Sequence, residues 1–132
     1  MTGKELSEHP IHLGLGATVE TQPYFTGETS WYQDYGARYS DDGMEARLVN
    51  LHSFSEPWNM WEMHPNGAEV VLCTEGSITL IQENLDGEPV STSLSPGQYA
   101  ITPPGVWHTA DVEAKATAVF ITAGTGTQHR PR

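Results

Sequence analysis

Residues 62–69 read Glu62-Met63-His64-Pro65-Asn66-Gly67-Ala68-Glu69, with Gly76 seven positions on, and a second stretch runs from Gly97 to Pro103-Pro104-Gly105-Val106-Trp107-His108. Side chains on a strand repeat every two residues, so Glu62 and His64 share one face. Pro65-Asn66-Gly67 breaks the run, and Glu69 opens the next strand with a carboxylate brought back to that face. His108 arrives on a separate strand behind a rigid Pro-rich turn. Two imidazoles and one or two carboxylates suit a divalent first-row transition metal, and a 2-His-1-carboxylate set leaves other positions open.

Outward from these stretches the chain keeps one rhythm. Short apolar or alternating runs, several rich in Val, Ile and Thr, are separated by Gly, Pro, Asp and Asn. The pattern predicts strands over 44–53, 58–64, 69–74, 77–82, 89–94, 98–102, 106–110 and 116–122. Glu75-Gly76 and Asp86-Gly87 read as hairpin turns, and Pro96-Gly97 and Pro103-Pro104-Gly105 as further breaks. Regular short strands without helical spacing argue for an all-β sandwich or barrel over residues 44–122. Residues 1–43 differ: Tyr24, Phe25, Trp31, Tyr32, Tyr35 and Tyr39 stand among Gly, Thr and Asp without a period. That aromatic content is too high for a disordered segment, so an arm with one or two edge strands, packed on the barrel, is expected. Residues 123–132 read as a C-terminal tail.

Composition removes several classes of function. Six Lys+Arg against seventeen Asp+Glu give a net charge of -11. Such a surface repels nucleic acid and anionic membranes, which are bound by neutralising phosphate. Cys73 is the one cysteine, so no intramolecular disulfide forms. The N-terminus lacks the basic-then-apolar pattern of a secretory signal, and no apolar run approaches the ~20 residues of a membrane span. A soluble cytoplasmic protein is expected. Gly14-Leu15-Gly16 lacks the strand–turn–helix setting of a dinucleotide loop, and no Gly-x-Ser-x-Gly elbow is present.

With its strands and two motifs in place, the sequence resembles the cupin superfamily. The first family motif, G-x5-H-x-H-x(3,4)-E-x6-G, is met by His64, Glu69 and Gly76; the second, G-x5-P-x-G-x2-H-x3-N, by Gly97, Pro103, Gly105 and His108. The family's first Gly falls on Glu56, its closing Asn on Val112, and its first metal His on Glu62. The resemblance implies a double-stranded β-helix, or jelly-roll, barrel. It also implies a metal site in which His64, Glu69 and His108 are ligands and the usual three-His-one-Glu set becomes two His and two Glu. The ion would be Fe, Mn, Ni, Co or Zn.

Glu62 has three readings: a fourth and harder ligand, a general base beside a metal-bound water, or a carboxylate paired with an Arg or turned to solvent. His9, His12, His52 and His129 lack motif spacing and read as ordinary histidines; His52 faces the pocket only if the even positions of its strand point inward. Cys73 reads as a small buried hydrophobe, and Trp58, Met60, Trp107 and Phe120 as core or pocket wall. Inward Glu62, His64, Glu69 and Cys73 put Trp61, Met63, Val70 and Leu72 outside, where the arm or a second subunit must cover them, so a homodimer is expected. Cupins include dioxygenases, isomerases, epimerases and lyases, so the resemblance implies a metal-dependent small-molecule enzyme without naming the reaction. The competing reading is a non-catalytic cupin that binds a small ligand. Two glutamates would cancel the charge of M2+, which favours neutral or enolisable substrates.

Overall fold

Two antiparallel sheets enclose the core in this computed structural model, which describes residues 2–84 and 86–132. The strands are β1 (Ile11–Leu13), β2 (Val19–Thr21), β3 (Arg47–Phe54), β4 (Met60–Met63), β5 (Glu69–Gly76), β6 (Ile78–Glu83), β7 (Pro89–Leu94), β8 (Tyr99–Thr102), β9 (His108–Asp111), β10 (Ala116–Thr122) and β11 (Gln128–Pro131). One sheet has the order β2-β1-β3-β10-β5-β8 and the other β11-β4-β9-β6-β7. Val71 and Cys73 of β5 and Ala116, Ala118 and Phe120 of β10 meet Ile78 and Leu80 of β6, Leu94 of β7 and Ala110 of β9 between the sheets. After β3 the chain changes sheet at every connection except the β6–β7 hairpin. This is the all-β barrel that the short-strand pattern predicts, in the jelly-roll form that the family resemblance implies.

Glu75-Gly76 is not a hairpin turn. β5 and β6 lie in different sheets, and Gly76 carries the chain between them at φ +70°. A Cβ there would lie 2.0 Å from the Lys115 carbonyl oxygen, so both backbone conformation and space demand glycine. Asp86-Gly87 does sit in a hairpin, where the Gly87 N–H donates to the Asn84 carbonyl at 2.8 Å.

The N-terminal region pairs β1 with β2 and adds β1 to the edge of β3. It also holds a helix the sequence did not announce, α1 (Thr29–Arg38). Its N-cap, Glu28, makes no side-chain cap bond, and only Trp31 is buried. Tertiary contacts hold it instead. His12 of β1 has Nδ1 2.6 Å from Tyr35 Oη and Nε2 2.7 Å from Asp42 Oδ2, and stacks on Tyr39 at 3.5 Å. Gln22 donates to Tyr39 Oη and accepts from Arg38. Phe25 packs edge-on to Trp31, whose ring stacks on Tyr35. None of the described helices is long and apolar enough to cross a membrane.

The C-terminal segment is more than a tail. Its strand β11 pairs with β4, with His129 opposite Glu62 and Arg130 opposite Trp61. The Arg130 guanidinium lies over Trp61 at 5.0 Å and Trp107 at 4.5 Å and pairs with Glu83. Arg132 pairs with Asp111 at 2.6 Å.

Of the four residues expected outside, Val70 and Leu72 belong to two apolar rows crossing the outer face of the larger sheet. Ile11, Val49, Ile121, Val70 and Ile101 are register partners in one row, and Leu51, Val119, Leu72 and Tyr99 in the other. Opposed residues in antiparallel pairs share a face, so the rows form one patch, with Tyr99 and Ile101 well exposed.

Candidate metal centre

Glu62 in the middle of β4 and His108 at the start of β9 are register partners, so pairing of the two strands sets their side chains next to each other. His64 leaves the end of β4, and Glu69 begins β5. One donor atom from each of the four lies within 4.8 Å of every other. The separations are 2.9 Å from Glu62 Oε1 to His64 Nε2, 3.0 Å from His64 Nε2 to Glu69 Oε2, and 3.1 Å from His108 Nε2 to Glu69 Oε1.

Those distances are short enough for hydrogen bonds, but the angles are not. His64 Nε2, Glu69 Oε1 and His108 Nε2 are buried without a hydrogen-bond partner among the described residues. Buried polar atoms are seldom left so. Neighbouring ligands about 2.1 Å from an octahedral ion stand about 3.0 Å apart, which is the spacing of these atoms. The donor set therefore fits a divalent ion.

The surroundings hold the donors in place. Thr127 Oγ1 donates to the Gly124 carbonyl at 2.9 Å and lies 2.8 Å from His64 Nδ1. Its proton being committed, Thr127 accepts from His64 Nδ1–H, which assigns the tautomer and frees Nε2 for the cluster. Thr122 donates to Glu69 Oε2 at 2.7 Å. Burial by itself would lower the pKa of His64, but Glu62 and Glu69 outweigh it and push the imidazole up to about 9. Burial would likewise raise Glu69, yet His108 and His64 hold it down at about 2. In the absence of an ion, the charge and proximity of the two carboxylates favour the protonated His64 ring, without an aligned hydrogen bond to Nε2.

Glu62 is the least buried of the four, and its Oε2 lies 3.6 Å from Nε2 of His129 on β11. It faces the cluster, and no arginine pairs with it among the described residues. His129, read from the sequence as ordinary, thus stands at the rim of the site because β11 pairs with β4.

The cluster opens into a cavity of about 1270 Å³. The even positions of β3 point inward, so His52 lines this cavity with Asn50 and Phe54. Burial lowers the His52 pKa against the pull of Glu62 and Glu69, which keeps its ring neutral. Trp58, Met60 and Phe120 also line the cavity, whereas Trp107 packs on Arg130 outside. Tyr32 of α1 reaches the same space; burial and the Glu62 charge push its hydroxyl up to about 12, so it stays a proton donor. Cys73 is fully buried in the core, as expected.

Comparison with known proteins bears on the fold. The fold is similar to oxalate oxidase in complex with glycolate, at 19% identity and a TM-score of 0.53, over 62% of this chain and 45% of that one. Procruciferin, the 11S globulin of Brassica napus, is similar at 15% identity and a TM-score of 0.54, over 64% of this chain and 22% of that one. A protein of Neisseria meningitidis shares 23% identity at a TM-score of 0.48, over 57% and 71% of the two chains. At these identities the likeness is one of fold, and this chain spans less than half of the oxalate oxidase and of procruciferin. No curated protein matches the sequence. The family model described as the cupin domain matches residues 53–124, more than half of the chain and both motif stretches, and the protein belongs to the cupin family.

Proposed function

We propose that Glu62, His64, Glu69 and His108 hold a divalent first-row transition ion, and that the chain is a metal-dependent enzyme acting on a small molecule in the adjoining cavity. The carrying observation is the convergence of four donor atoms within 4.8 Å, three of them on buried residues. When bound, the ion would supply Lewis-acid or oxygen-binding chemistry at its open positions. The chain's own residues do the rest. Thr127 and Thr122 orient His64 and Glu69. Glu62, with one oxygen toward the cluster and the other toward His129, is placed to ligate or to take a proton from a bound substrate. The Tyr32 hydroxyl faces the same space as a neutral donor.

The test is elemental analysis of the purified protein, then oxygen uptake and product analysis with neutral diols, phenols and enolisable ketones. Near-stoichiometric iron, manganese, nickel, cobalt or zinc with turnover supports the reading. Protein that takes up no divalent ion overturns it, and a full complement of metal with no turnover on the panel favours a ligand-binding cupin.

A second copy of this chain is our proposed cover for the apolar rows of the larger sheet. Those rows carry no charged side chain, so two strongly acidic molecules can meet there without opposing like charges. Light scattering should give a dimer that Leu72→Lys converts to monomer; a monomeric parent at micromolar concentration would defeat the idea.

A further inference from the structure

The geometry points to a ring-binding subsite beside the candidate metal centre, walled by His52, Phe54, Trp58 and Phe120, that takes an uncharged planar substrate such as a hydroxylated arene. The inference rests on the function proposed above and narrows its substrate class.

The wall is continuous and begins at the cluster. Trp58 lies edge-on to the His108 imidazole at 6.1 Å, Phe54 is 5.4 Å from Trp58, and Phe120 is 5.9 Å from Phe54 and 6.0 Å from Trp58. His52 continues it at 5.5 Å from Phe120. All four wall residues line the cavity. The mutual tilts, 36° to 85° among Phe54, Trp58 and Phe120, leave both ring faces and ring edges for a guest. Asn50, 5% exposed, also lines the cavity, and its Oδ1 has no hydrogen-bond partner among the described residues. An unpartnered buried amide oxygen beside the aromatic wall suits a guest that presents a hydroxyl at one edge of its ring.

Charge excludes the alternatives. No Lys or Arg is found among the described residues that line the cavity, while Glu62 and Glu69 stand at its end. A carboxylate or phosphate placed there would lose water and gain no cationic side chain. An organic cation would find both glutamates already offset by the ion, with only exposed Glu56 left over.

The test uses protein loaded with zinc, which has no redox chemistry, and measures binding of 2-naphthol by calorimetry. Decahydro-2-naphthol, 2-naphthoate and naphthyltrimethylammonium are the saturated, anionic and cationic comparisons. We expect 2-naphthol to bind about tenfold more tightly than its saturated counterpart, the worth of about two aromatic contacts. Trp58→Leu and Phe120→Leu should each remove most of that preference, and Trp58→Leu serves where loss of the buried Phe120 unfolds the chain. Equal binding of the flat and saturated alcohols, or tighter binding of either ion, overturns the subsite. One zinc per chain without a ring preference sinks this inference alone. A ring preference in protein that takes up no metal sinks the proposed function alone.

Discussion

On the function proposed above, His64 should make metal affinity a measurable function of pH. Its imidazole is pushed up to about 9 because Glu62 and Glu69 outweigh burial, so near neutrality the ion-free protein keeps a proton on the ring. A metal needs that nitrogen bare, and loading must expel the proton. Affinity should therefore climb about tenfold per pH unit below 9, roughly a hundredfold between pH 7 and 9, or about 2.7 kcal/mol. Chelator-buffered zinc titrations from pH 6.5 to 8.5 read the slope. Calorimetry at pH 7 in two buffers of different ionisation heat should count about one proton released per ion. The ion-free fold shows the opposite sign: a raised imidazole stabilises it fully below the ordinary value of 6.5 and loses that contribution as pH rises through about 9. Flat affinity across the range with no proton release would refute the argument, because His64 would then be neutral before the ion arrived.

Four further outcomes follow from the same structure. Glu69→Gln leaves His64 and His108 without their shared buried carboxylate, and should cost the ion-free protein about 3 kcal/mol at neutral pH; an unchanged melting temperature would contradict this. Glu69 itself, held at about 2, contributes stability above its ordinary value of 4.5 that fades as pH falls through 2. Gly76→Ala must fit a Cβ at positive φ against the Lys115 carbonyl and should lower stability by about 2 kcal/mol or more in urea unfolding, with an unmoved midpoint as the refuting result. Arg130→Ala removes the cation between Trp61 and Trp107. About 1 kcal/mol should be lost, and amide exchange at residues 128–131 should speed up; protection equal to the parent's would count against the role given to the stack.

Much of the barrel is legible in the sequence because turn residues mark where its strands stop. Pro89–Leu94 occupies the expected residues between Gly87 and Pro96, and Ala116–Thr122 does so ahead of Gly124. The four clustered residues are legible for another reason: strand alternation and a Pro-rich turn fix which way each points. The inward direction of His52 was harder to read, since β3 alternates Leu48 and Phe54 against Val49 and Leu51, leaving both faces apolar. Helix α1 is concealed because it has no side-chain cap, no acid in its first turn and one buried residue; its stability comes from His12, Phe25 and Gln22, which lie outside it. Strand β11 reads as a polar tail because Gln128, His129 and Arg130 show no apolar alternation, and pairing with β4 supplies its order. The hairpin reading of Glu75-Gly76 failed because a glycine of positive φ serves a sheet-to-sheet crossing as well as a tight turn.

Each member of the Trp61–Arg130–Trp107 stack is one peptide bond from a residue at the site: Glu62, His129 and His108. Alternation puts the two sets on opposite sides of β4, of β11 and of the entry to β9. Engineers thus have a lever on the back of the sheet: on the proposed function, loosening or bracing the stack should tune how quickly an ion exchanges, while the four candidate donors are left unchanged.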